Sequence, residues 1–240
     1  MAVPALDTAK LPRHVGIIMD GNGRWARSRD LSRSEGHREG LQASKRIVRA
    51  AAEAGIPYVS LYAFSTENWK RAQEEVSFLM SLVKQYLRKE YEFYKENGIR
   101  IYHAGDLSGL PRDVQEIIQL AMEDTKDFTR LTVNLALNYG GRDEIIRAMR
   151  RWLARQNGTP DPASLTEEAL SGCMDNPGIP DPDLIIRSAG ETRISNFLIW
   201  ESAYAEYYFS PKLWPDWDSE DLYEALAAYS SRVRKYGGAV

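Results

Sequence analysis

The sequence predicts an α/β protein, a single domain with a mostly parallel central sheet of about six strands flanked by helices. Short apolar runs alternate along the chain with longer segments whose apolar residues recur at helical spacing. The short runs are apolar on both faces, which is typical of parallel strands covered by helices. The length of 240 residues suits one domain with a sizeable core, so we assign residues 1–240 to one domain.

Composition excludes several classes of protein. The formal net charge of −3 gives no general attraction to nucleic acid, so we expect no nucleic-acid partner. The one cysteine, Cys173, cannot form an intrachain disulfide and fits a reducing compartment. The first residues lack the apolar core of a signal peptide, and no apolar run is long enough to span a bilayer. We therefore expect a cytoplasmic protein.

The first predicted strand and the turn after it are the most informative stretch. Val15 to Met19 is an apolar run that ends abruptly at Asp20, and Gly21-Asn22-Gly23 then permits a tight turn. A helix can begin in Arg24 to Arg29, and such a helix start can bind phosphate through its backbone N–H groups. The carboxylate of Asp20 lies beside these basic residues and Arg33. It would repel a bound phosphate unless a cation joined the two. Mg²⁺ is the natural candidate, because it binds one or two carboxylates together with substrate phosphates.

The same turn has other interpretations. Gly21 to Ala26 matches the G-x-G-x-x-A dinucleotide fingerprint, although the next convincing strand, Tyr58 to Phe64, is far away. A strand followed by Asp-Gly-Asn-Gly is also similar to haloacid-dehalogenase-type phosphatases, in which Asp20 would be the nucleophile. Those enzymes need a second acid where this chain has Asn22. A purely structural turn is the third alternative, and the residues of this stretch leave the choice open.

Strands and helices alternate through the rest of the chain. A helical stripe from Leu41 to Ala52 ends at Gly55, and the strand Tyr58 to Phe64 follows. A long helix from Val76 to Tyr94 ends at Asn97-Gly98. The remaining predicted elements are a strand at Ile99 to Ala104, a helix at Val114 to Met122, a strand at Leu131 to Asn138, a helix around Ile145 to Trp152 ended by Asn157-Gly158, a short helix with a Ser164–Glu167 capping box, strands at Asp183 to Arg187 and Tyr207 to Phe209, and a helix from Leu222 to Val233.

A second charged cluster follows the fifth strand. Arg187 closes that strand, and Arg193 and Ser195 precede an apolar stretch, Phe197 to Trp200, which we predict to be helical. Two guanidinium groups and a hydroxyl at a helix start can bind a diphosphate, whereas the alternative is a surface arginine–glutamate network. Glu206 follows as a lone acid among aromatic neighbours. Together with the glycine turn, this cluster predicts two phosphorylated substrates and a metal.

Two further polar features lie near these clusters. The exit from the second strand, Ser65 to Arg71, is polar and falls at the carboxyl end of a strand, where open α/β sheets bind ligands. His37 follows Arg33 closely and is a candidate ligand or proton carrier. His14 and His103 lie at or within strands, and we expect both to be structural.

Several motifs occur together and in a fixed order. They are Met19 to Ala26 (MDGNGRWA), Gly36-His37, Tyr62 to Ser65, Glu67-Asn68-Trp69, Asn138 to Gly141, Ile186-Arg187, Gly190-Glu191, Arg193 to Phe197 and Leu213 to Asp216. In this combination they resemble the cis-prenyltransferases, in particular the bacterial undecaprenyl diphosphate synthases, over nearly the whole chain. The aspartate-rich D-D-x-x-D motif of trans-prenyltransferases is absent from the sequence, which agrees with this resemblance.

The resemblance implies a homodimer in which each α/β domain encloses a hydrophobic tunnel. Isopentenyl diphosphate would be added repeatedly to an allylic diphosphate, farnesyl diphosphate, and each step would create a cis double bond. The implied product is undecaprenyl diphosphate, a lipid carrier for cell-wall synthesis, and a product of another length is the alternative. Release of so apolar a product implies transient contact with the inner face of the membrane.

The resemblance also assigns roles to individual residues. Asp20 and Glu206 would hold Mg²⁺, Glu206 across the dimer interface, and Asp20 would promote departure of the allylic diphosphate. Isopentenyl diphosphate would contact Arg187, Arg193 and Ser195, and Asn68 would orient the reacting groups as a second catalytic residue. The other implied substrate-binding residues are Gly21, Asn22, Gly23, Arg24, Trp25, Arg33, His37, Ser65, Glu67, Trp69 and Arg71.

Some positions depart from the family pattern. Ser188-Ala189 stands where Thr followed by Ser or Gly is more usual, Asp30 stands where Gly is common, and Lys235 replaces an arginine in a C-terminal segment that would reach the neighbouring subunit. Ala63 and Leu131 occupy positions that line the tunnel in the family. A non-catalytic partner subunit is the remaining rival, and the retention of the acids and arginines named above argues against it.

Overall fold

The computed structural model describes residues 8–156 and 158–233. Within them, six strands form one sheet in the order β3-β4-β2-β1-β5-β6, and every neighbouring pair is parallel. The strands are β1 (His14–Ile18), β2 (Tyr58–Ser65), β3 (Ile99–Ala104), β4 (Leu131–Tyr139), β5 (Leu184–Arg187) and β6 (Glu206–Phe209). The predicted six-stranded, parallel α/β fold is therefore confirmed.

Eight α-helices connect or flank these strands in the described part of the chain. They are α1 (Asn22–Arg27), α2 (Arg33–Ala54), α3 (Gln73–Lys89), α4 (Tyr91–Glu96), α5 (Arg112–Asp124), α6 (Gly141–Ala154), α7 (Glu167–Ser171) and α8 (Ser219–Ser230). The longest, α2, begins with a capping box between Ser32 and Glu35 and ends at Gly55, whose φ of +81° favours glycine. The predicted end of this helix is correct.

The core lies on both faces of the sheet. All five residues of β1 and all four of β5 are buried, and β4 is buried at eight of its nine positions, all but Thr132. Full burial of an isoleucine or leucine contributes about 1.5–3 kcal/mol, so these central strands anchor the fold. Trp214 and Trp217, which follow β6, are completely buried and pack against each other.

The predicted long helix from Val76 to Tyr94 is interrupted. It divides at Glu90 into α3 and α4, and Glu90 points inward, where only 3% of it is exposed. Lys45 from α2 forms an ion pair with Glu90. An unpaired charge would be costly in this interior, and the ion pair offsets that cost at the point where the helix divides.

Three other local predictions are wrong. The cap of α7 is Thr166, whose hydroxyl accepts a hydrogen bond from the Ala169 N–H at 3.2 Å, so the Ser164–Glu167 capping box does not form. Phe197 to Trp200 is a series of turns and bends rather than a helix. The last helix ends at Ser230, so Val233 lies beyond it. Asn157 and Lys235-Tyr236-Gly237 lie outside the described residues, and the predictions made there stay predictions.

A pair of buried carboxyl groups joins the start of α6 to the turns that precede β6. Glu144 accepts hydrogen bonds from the Asp175 N–H at 3.0 Å and from the Tyr139 hydroxyl, and it also hydrogen-bonds to Glu201. Burial, and secondly the charge of Glu144, raises the pKa of Glu201 to about 9. At neutral pH the two carboxyl groups therefore share a proton.

The two histidines predicted to be structural are buried and hydrogen-bonded. His14 Nδ1 lies 2.6 Å from the Pro180 carbonyl oxygen, and His103 Nε2 lies 3.0 Å from that of Leu137. In the described part of the chain, no helix has the length and apolar character needed to cross a membrane.

Candidate active site

The carboxyl ends of three neighbouring strands bring the predicted site residues together. Ile18, near the end of β1, is in register with Tyr62 of β2 and with Arg187 at the end of β5. Asp20 lies two residues beyond Ile18, and Ser65 is the last residue of β2. A cavity of about 580 Å³ opens at this edge of the sheet, which is where open parallel sheets bind ligands.

Most of the predicted polar residues line this first cavity. They are Asp20, Asn22, His37, Ser65, Glu67, Asn68, Arg71, Arg187 and Ser195. Its inner wall is apolar and is built by α2, β2 and α3 through Leu41, Ala63, Phe64, Leu79, Leu82 and Val83. A narrow apolar crevice of about 40 Å³ continues from the same wall towards Leu87 and Leu135. The cavity is therefore polar at its mouth and hydrocarbon-like inside.

A second, cationic cavity of about 440 Å³ adjoins the first. It is lined by Met19, Asp20, Gly21, Asn22, Gly23, Arg24, Arg27, Leu31, Arg33, His37 and Arg71. Gly21 has a φ of +104°, and an added Cβ would lie 2.9 Å from the Leu213 side chain. A Cβ at Gly36 would lie 2.2 Å from the Asn22 carbonyl oxygen, so α2 packs directly on the turn. The predicted glycine turn and its arginines thus form one cationic surface, which we call the cradle.

Asp20 lies where the two cavities meet. Its Oδ2 accepts a hydrogen bond from Arg187 Nη2 at 2.9 Å, and its Oδ1 accepts one from the Gly21 N–H at 2.7 Å. Arg24 approaches the same carboxylate at 3.8 Å. Arg187, only 4% exposed, also donates to Ser195 Oγ at 2.8 Å and to the Arg193 carbonyl oxygen. This buried arginine therefore holds the two predicted phosphate-binding segments against each other.

The segment that carries Ser195 has a strained backbone. Ser195 and Asn196 have φ values of +48° and +65°, which side chains other than glycine rarely adopt. The Tyr62 hydroxyl donates to the Ser195 carbonyl oxygen at 3.2 Å, and Asn196 donates to Glu67 at 2.8 Å. Strain of this kind persists only where surrounding contacts impose it, and it clusters at functional sites. Asn68 contributes in turn by accepting a hydrogen bond from the Ser65 N–H at 3.1 Å.

Two buried polar atoms at the junction of the cavities make no hydrogen bond to the described residues, although one of them lies 3.6 Å from Glu75 Oε1. They are His37 Nε2 and Asn22 Oδ1, and both residues line both cavities. Burial lowers the pKa of His37 to about 4, so the imidazole is neutral at pH 7. Buried polar groups are nearly always hydrogen-bonded, so this junction is prepared for a polar ligand.

Three predicted substrate-binding residues do not line either cavity. Arg193 is exposed and pairs with Glu191 at 2.5 Å, and the other oxygen of Glu191 lies 3.4 Å from Arg24. The Trp25 indole N–H donates to Asp216 at 2.6 Å. The Trp69 indole packs on Phe64 and donates to Asn138 at 2.7 Å. These two tryptophans support the site from outside it, because hydrogen bonds to other elements fix both rings.

Glu206 lies at the amino-terminal ends of the parallel strands, whereas Asp20 lies beyond their carboxyl ends. It begins β6, in register with Leu184 at the start of β5, whereas Asp20 follows the end of β1. The length of β5, three residue steps from Leu184 to Arg187, separates these two ends of the sheet by roughly 10 Å. Glu206 is paired with Arg232 at 2.6 Å. One chain therefore does not bring the two predicted metal ligands together, and no group of three potential ligands occurs among the described residues.

Comparison with known proteins assigns the family. The family model Prenyltransf, whose description is "Putative undecaprenyl diphosphate synthase", matches residues 18–237. The chain belongs to this prenyltransferase family. Family membership confirms the resemblance, and it removes the phosphatase and dinucleotide-binding interpretations of the glycine turn.

The relatives of this prenyltransferase cover nearly its whole length. An isoprenyl transferase from Treponema denticola is 52% identical over 227 residues, which are 95% of this chain and 98% of the relative. Among solved structures, lavandulyl diphosphate synthase from Lavandula x intermedia, in complex with dimethylallyl diphosphate, aligns with a TM-score of 0.92 and 36% identity over 95% of this chain and 99% of its own. A probable undecaprenyl diphosphate synthase from Campylobacter jejuni aligns with a TM-score of 0.78 and 35% identity over 94% and 98%.

Sequence reasoning missed one charged residue of this prenyltransferase site. Glu75, in the first turn of α3, contacts Arg33, Arg71 and His37. The one local signal was its spacing of four residues from Arg71. The other two partners come from α2, so only the tertiary structure shows them. Of the two residues predicted to line the tunnel, Ala63 lines the first cavity, whereas Leu131 is buried at the start of β4 and lines neither cavity.

Proposed function

We propose that this prenyltransferase condenses isopentenyl diphosphate repeatedly onto farnesyl diphosphate to make a long polyprenyl diphosphate, undecaprenyl diphosphate. The observation that supports the proposal is the continuity between the cationic cradle and the apolar first cavity. An anionic head and a growing hydrocarbon tail need such adjoining environments. The isoprenyl transferases among its relatives support the same class of reaction.

The cradle suits the allylic diphosphate. Arg24, Arg33 and Arg71 line it, and a guanidinium group can pair bidentately with phosphate oxygens. His37 Nε2, which makes no hydrogen bond within the described residues, would add a contact by donating its proton to a phosphate oxygen in the Nε2–H tautomer. The hydrocarbon of the same substrate would then extend into the apolar part of the first cavity.

Isopentenyl diphosphate would bind on the other side of Asp20. Ser195 and Arg187 line the first cavity there, and Arg193 lies on the exposed side of the same segment. Because Arg187 contacts Asp20 directly, the two diphosphates would lie next to each other. Holding two reactants in place in this way replaces a bimolecular encounter by a local reaction.

The chain's charges match the charge that develops in this reaction. The allylic carbon–oxygen bond breaks, the double bond of isopentenyl diphosphate forms the new carbon–carbon bond, and diphosphate and a proton leave. The arginines of the cradle would stabilise the negative charge that develops on the leaving diphosphate. The apolar wall of Leu79, Leu82 and Val83 excludes water from the allylic cation.

Mg²⁺ fits Asp20 as part of this proposal. The carboxylate is one-third exposed and lines both cavities, and Mg²⁺ commonly binds through one or two carboxylates together with substrate phosphates. When bound, the ion would neutralise charge on the diphosphate. A contribution from Glu206 requires the neighbouring subunit of a homodimer, which we also propose. We also propose that the protein acts in the cytoplasm and contacts the inner face of the membrane briefly. Such contact would release the apolar product where cell-wall synthesis uses it.

The test is to incubate the purified protein with isopentenyl diphosphate, Mg²⁺ and either farnesyl diphosphate or dimethylallyl diphosphate, and to size the dephosphorylated products. A ladder of cis products that ends at undecaprenyl length supports the proposal. The similarity to lavandulyl diphosphate synthase favours a second candidate, a short product made from smaller allylic diphosphates. Short products from dimethylallyl diphosphate without a ladder from farnesyl diphosphate would select that alternative, and the absence of condensation with either starter would contradict both.

A further inference from the structure

Glu75 holds the cationic groups of the cradle together. Its Oε1 lies 2.9 Å from Arg71 Nη1 and 3.6 Å from His37 Nε2, and its Oε2 lies 3.2 Å from Arg33 Nη1. The three partners come from two different parts of the chain, the first turns of α2 and the segment just before α3. One carboxylate therefore links three structural elements at the mouth of the cavity.

The position of Glu75 is behind the cradle rather than inside it. Arg33, Arg71 and His37 all line the cationic cavity, whereas Glu75 lines neither that cavity nor the apolar one. Its side chain is only 15% exposed. A bound diphosphate would thus meet the three cationic or polar groups, and Glu75 would act only through them.

Within the described residues, no second carboxylate comes within ion-pair distance of Arg33 or Arg71. Both guanidinium groups approach Glu75, so their charges repel each other across a short distance. Without this carboxylate the two long side chains would lose their shared anchor and populate many rotamers. A ligand would then have to order both arginines as it binds.

Glu75 also connects the cradle to the apolar wall. Leu79, Leu82 and Val83 follow it at spacings of four, seven and eight residues, which places all four side chains on one face of α3. The three apolar residues line the first cavity. The contacts of Glu75 therefore hold the first turn of the wall helix against the cradle.

We propose that Glu75 is a positioning residue that pre-orders Arg33 and Arg71 for the allylic diphosphate. This inference rests on the proposed function, because it assigns the cradle to that substrate. Each arginine that a ligand must order for itself weakens binding by slightly more than twofold to about tenfold. Removing the anchor of both is therefore expected to weaken binding by about fivefold to hundredfold.

The experiment compares Glu75→Gln with Glu74→Gln. Glu74 is the exposed neighbour on the same helical turn, so the control makes the same charge change near the same helix terminus. Titration calorimetry measures the Kd of farnesyl diphosphate and of inorganic pyrophosphate, thermal unfolding measures the Tm, and steady-state kinetics gives both KM values and kcat.

We expect Glu75→Gln to raise both Kd values and the KM of the allylic substrate by about fivefold to hundredfold. The KM of isopentenyl diphosphate should change much less, and Glu74→Gln should bind as the wild type does. Glu75→Asp, which keeps the charge, should restore part of the affinity. A residue with a merely structural role would lower the Tm without this selectivity for one substrate.

Two results would overturn the inference while leaving the proposed function intact. Unchanged affinity in Glu75→Gln would show that the arginines are ordered without the carboxylate. Tighter binding would show that Glu75 competes with the ligand for them. If the wild type itself bound neither farnesyl diphosphate nor pyrophosphate, the proposed function would fail, and the inference would fail with it.

Discussion

Replacing Glu201 by glutamine is expected to reduce the loss of stability that this protein suffers as the pH rises. Burial beside Glu144 raises the pKa of Glu201 from an ordinary value near 4.5 to about 9. Between these two values the folded protein keeps a proton that the unfolded chain releases. The stabilising contribution of this proton is thus fully present at low pH and is lost as the pH rises towards 9.

The size of the effect follows from one proton. A difference of one bound proton changes the free energy of unfolding by about 1.4 kcal/mol per pH unit. In a chain of this length, 1 kcal/mol moves the Tm by about 2–4 °C, so the carboxyl pair should lower the Tm by about 3–6 °C per pH unit. The amide of Glu201→Gln can donate to the Glu144 carboxylate as the protonated acid does, but it has no proton to lose.

The assay is the Tm from circular dichroism at half-unit steps between pH 6 and 8.5. Wild type and Glu201→Gln should diverge steadily with pH, and the variant should be the more stable protein at the alkaline end. Glu74→Gln, at an exposed position, is the control and should follow the wild type. A constant difference between wild type and Glu201→Gln over this range would refute the shared proton.

Three further predictions concern the proposed reaction. Asp20→Asn, which keeps an oxygen for buried Arg187, should lower turnover by ~10²–10³ without a large change in Tm; near-normal turnover at saturating Mg²⁺ would remove Asp20 from the mechanism. Arg193→Ala should raise the KM of isopentenyl diphosphate about tenfold to hundredfold, since a charge-assisted contact contributes roughly 1.5–3 kcal/mol. A selective rise in the KM of farnesyl diphosphate would mean that the two diphosphate sites are reversed. Product release should limit the steady state, because each added unit buries more apolar surface at ~0.8 kcal/mol per CH₂. A burst in plain buffer and faster multiple turnover with mild detergent are expected, and neither would be seen if the product were short.

Much of the site was predictable because parallel strands share a carboxyl edge. Asp20 and Arg187 are separated by 167 residues, yet each follows or ends a buried strand, and the two side chains meet at 2.9 Å. The same rule places Ser65 and Asn68 at the first cavity. The rule does not apply to Glu206, because this residue begins its strand. The sequence therefore could not show that Glu206 lies away from Asp20 within one chain.

The errors arose where long-range contacts override local preference. The apolar stripe from Val76 to Tyr94 continues past Glu90, but the helix divides at this buried carboxylate, which pairs with Lys45 of α2. The segment from Phe197 to Trp200 has helical composition, yet contacts with Tyr62, Glu67 and the start of α6 hold the residues before it in a left-handed conformation. No local pattern contains these partners.

The sequence by itself determined the number and type of most elements, the glycine turn after β1 and the family. These depend on apolar periodicity, turn chemistry and motif order, all of which are local properties of the chain. Only the tertiary structure decided the strand order, the direction of each charged side chain and the contacts of Glu75 behind the cradle. Side-chain direction depends on register and on partners far along the chain, and a carboxylate acquires its role from whichever cations the fold packs around it.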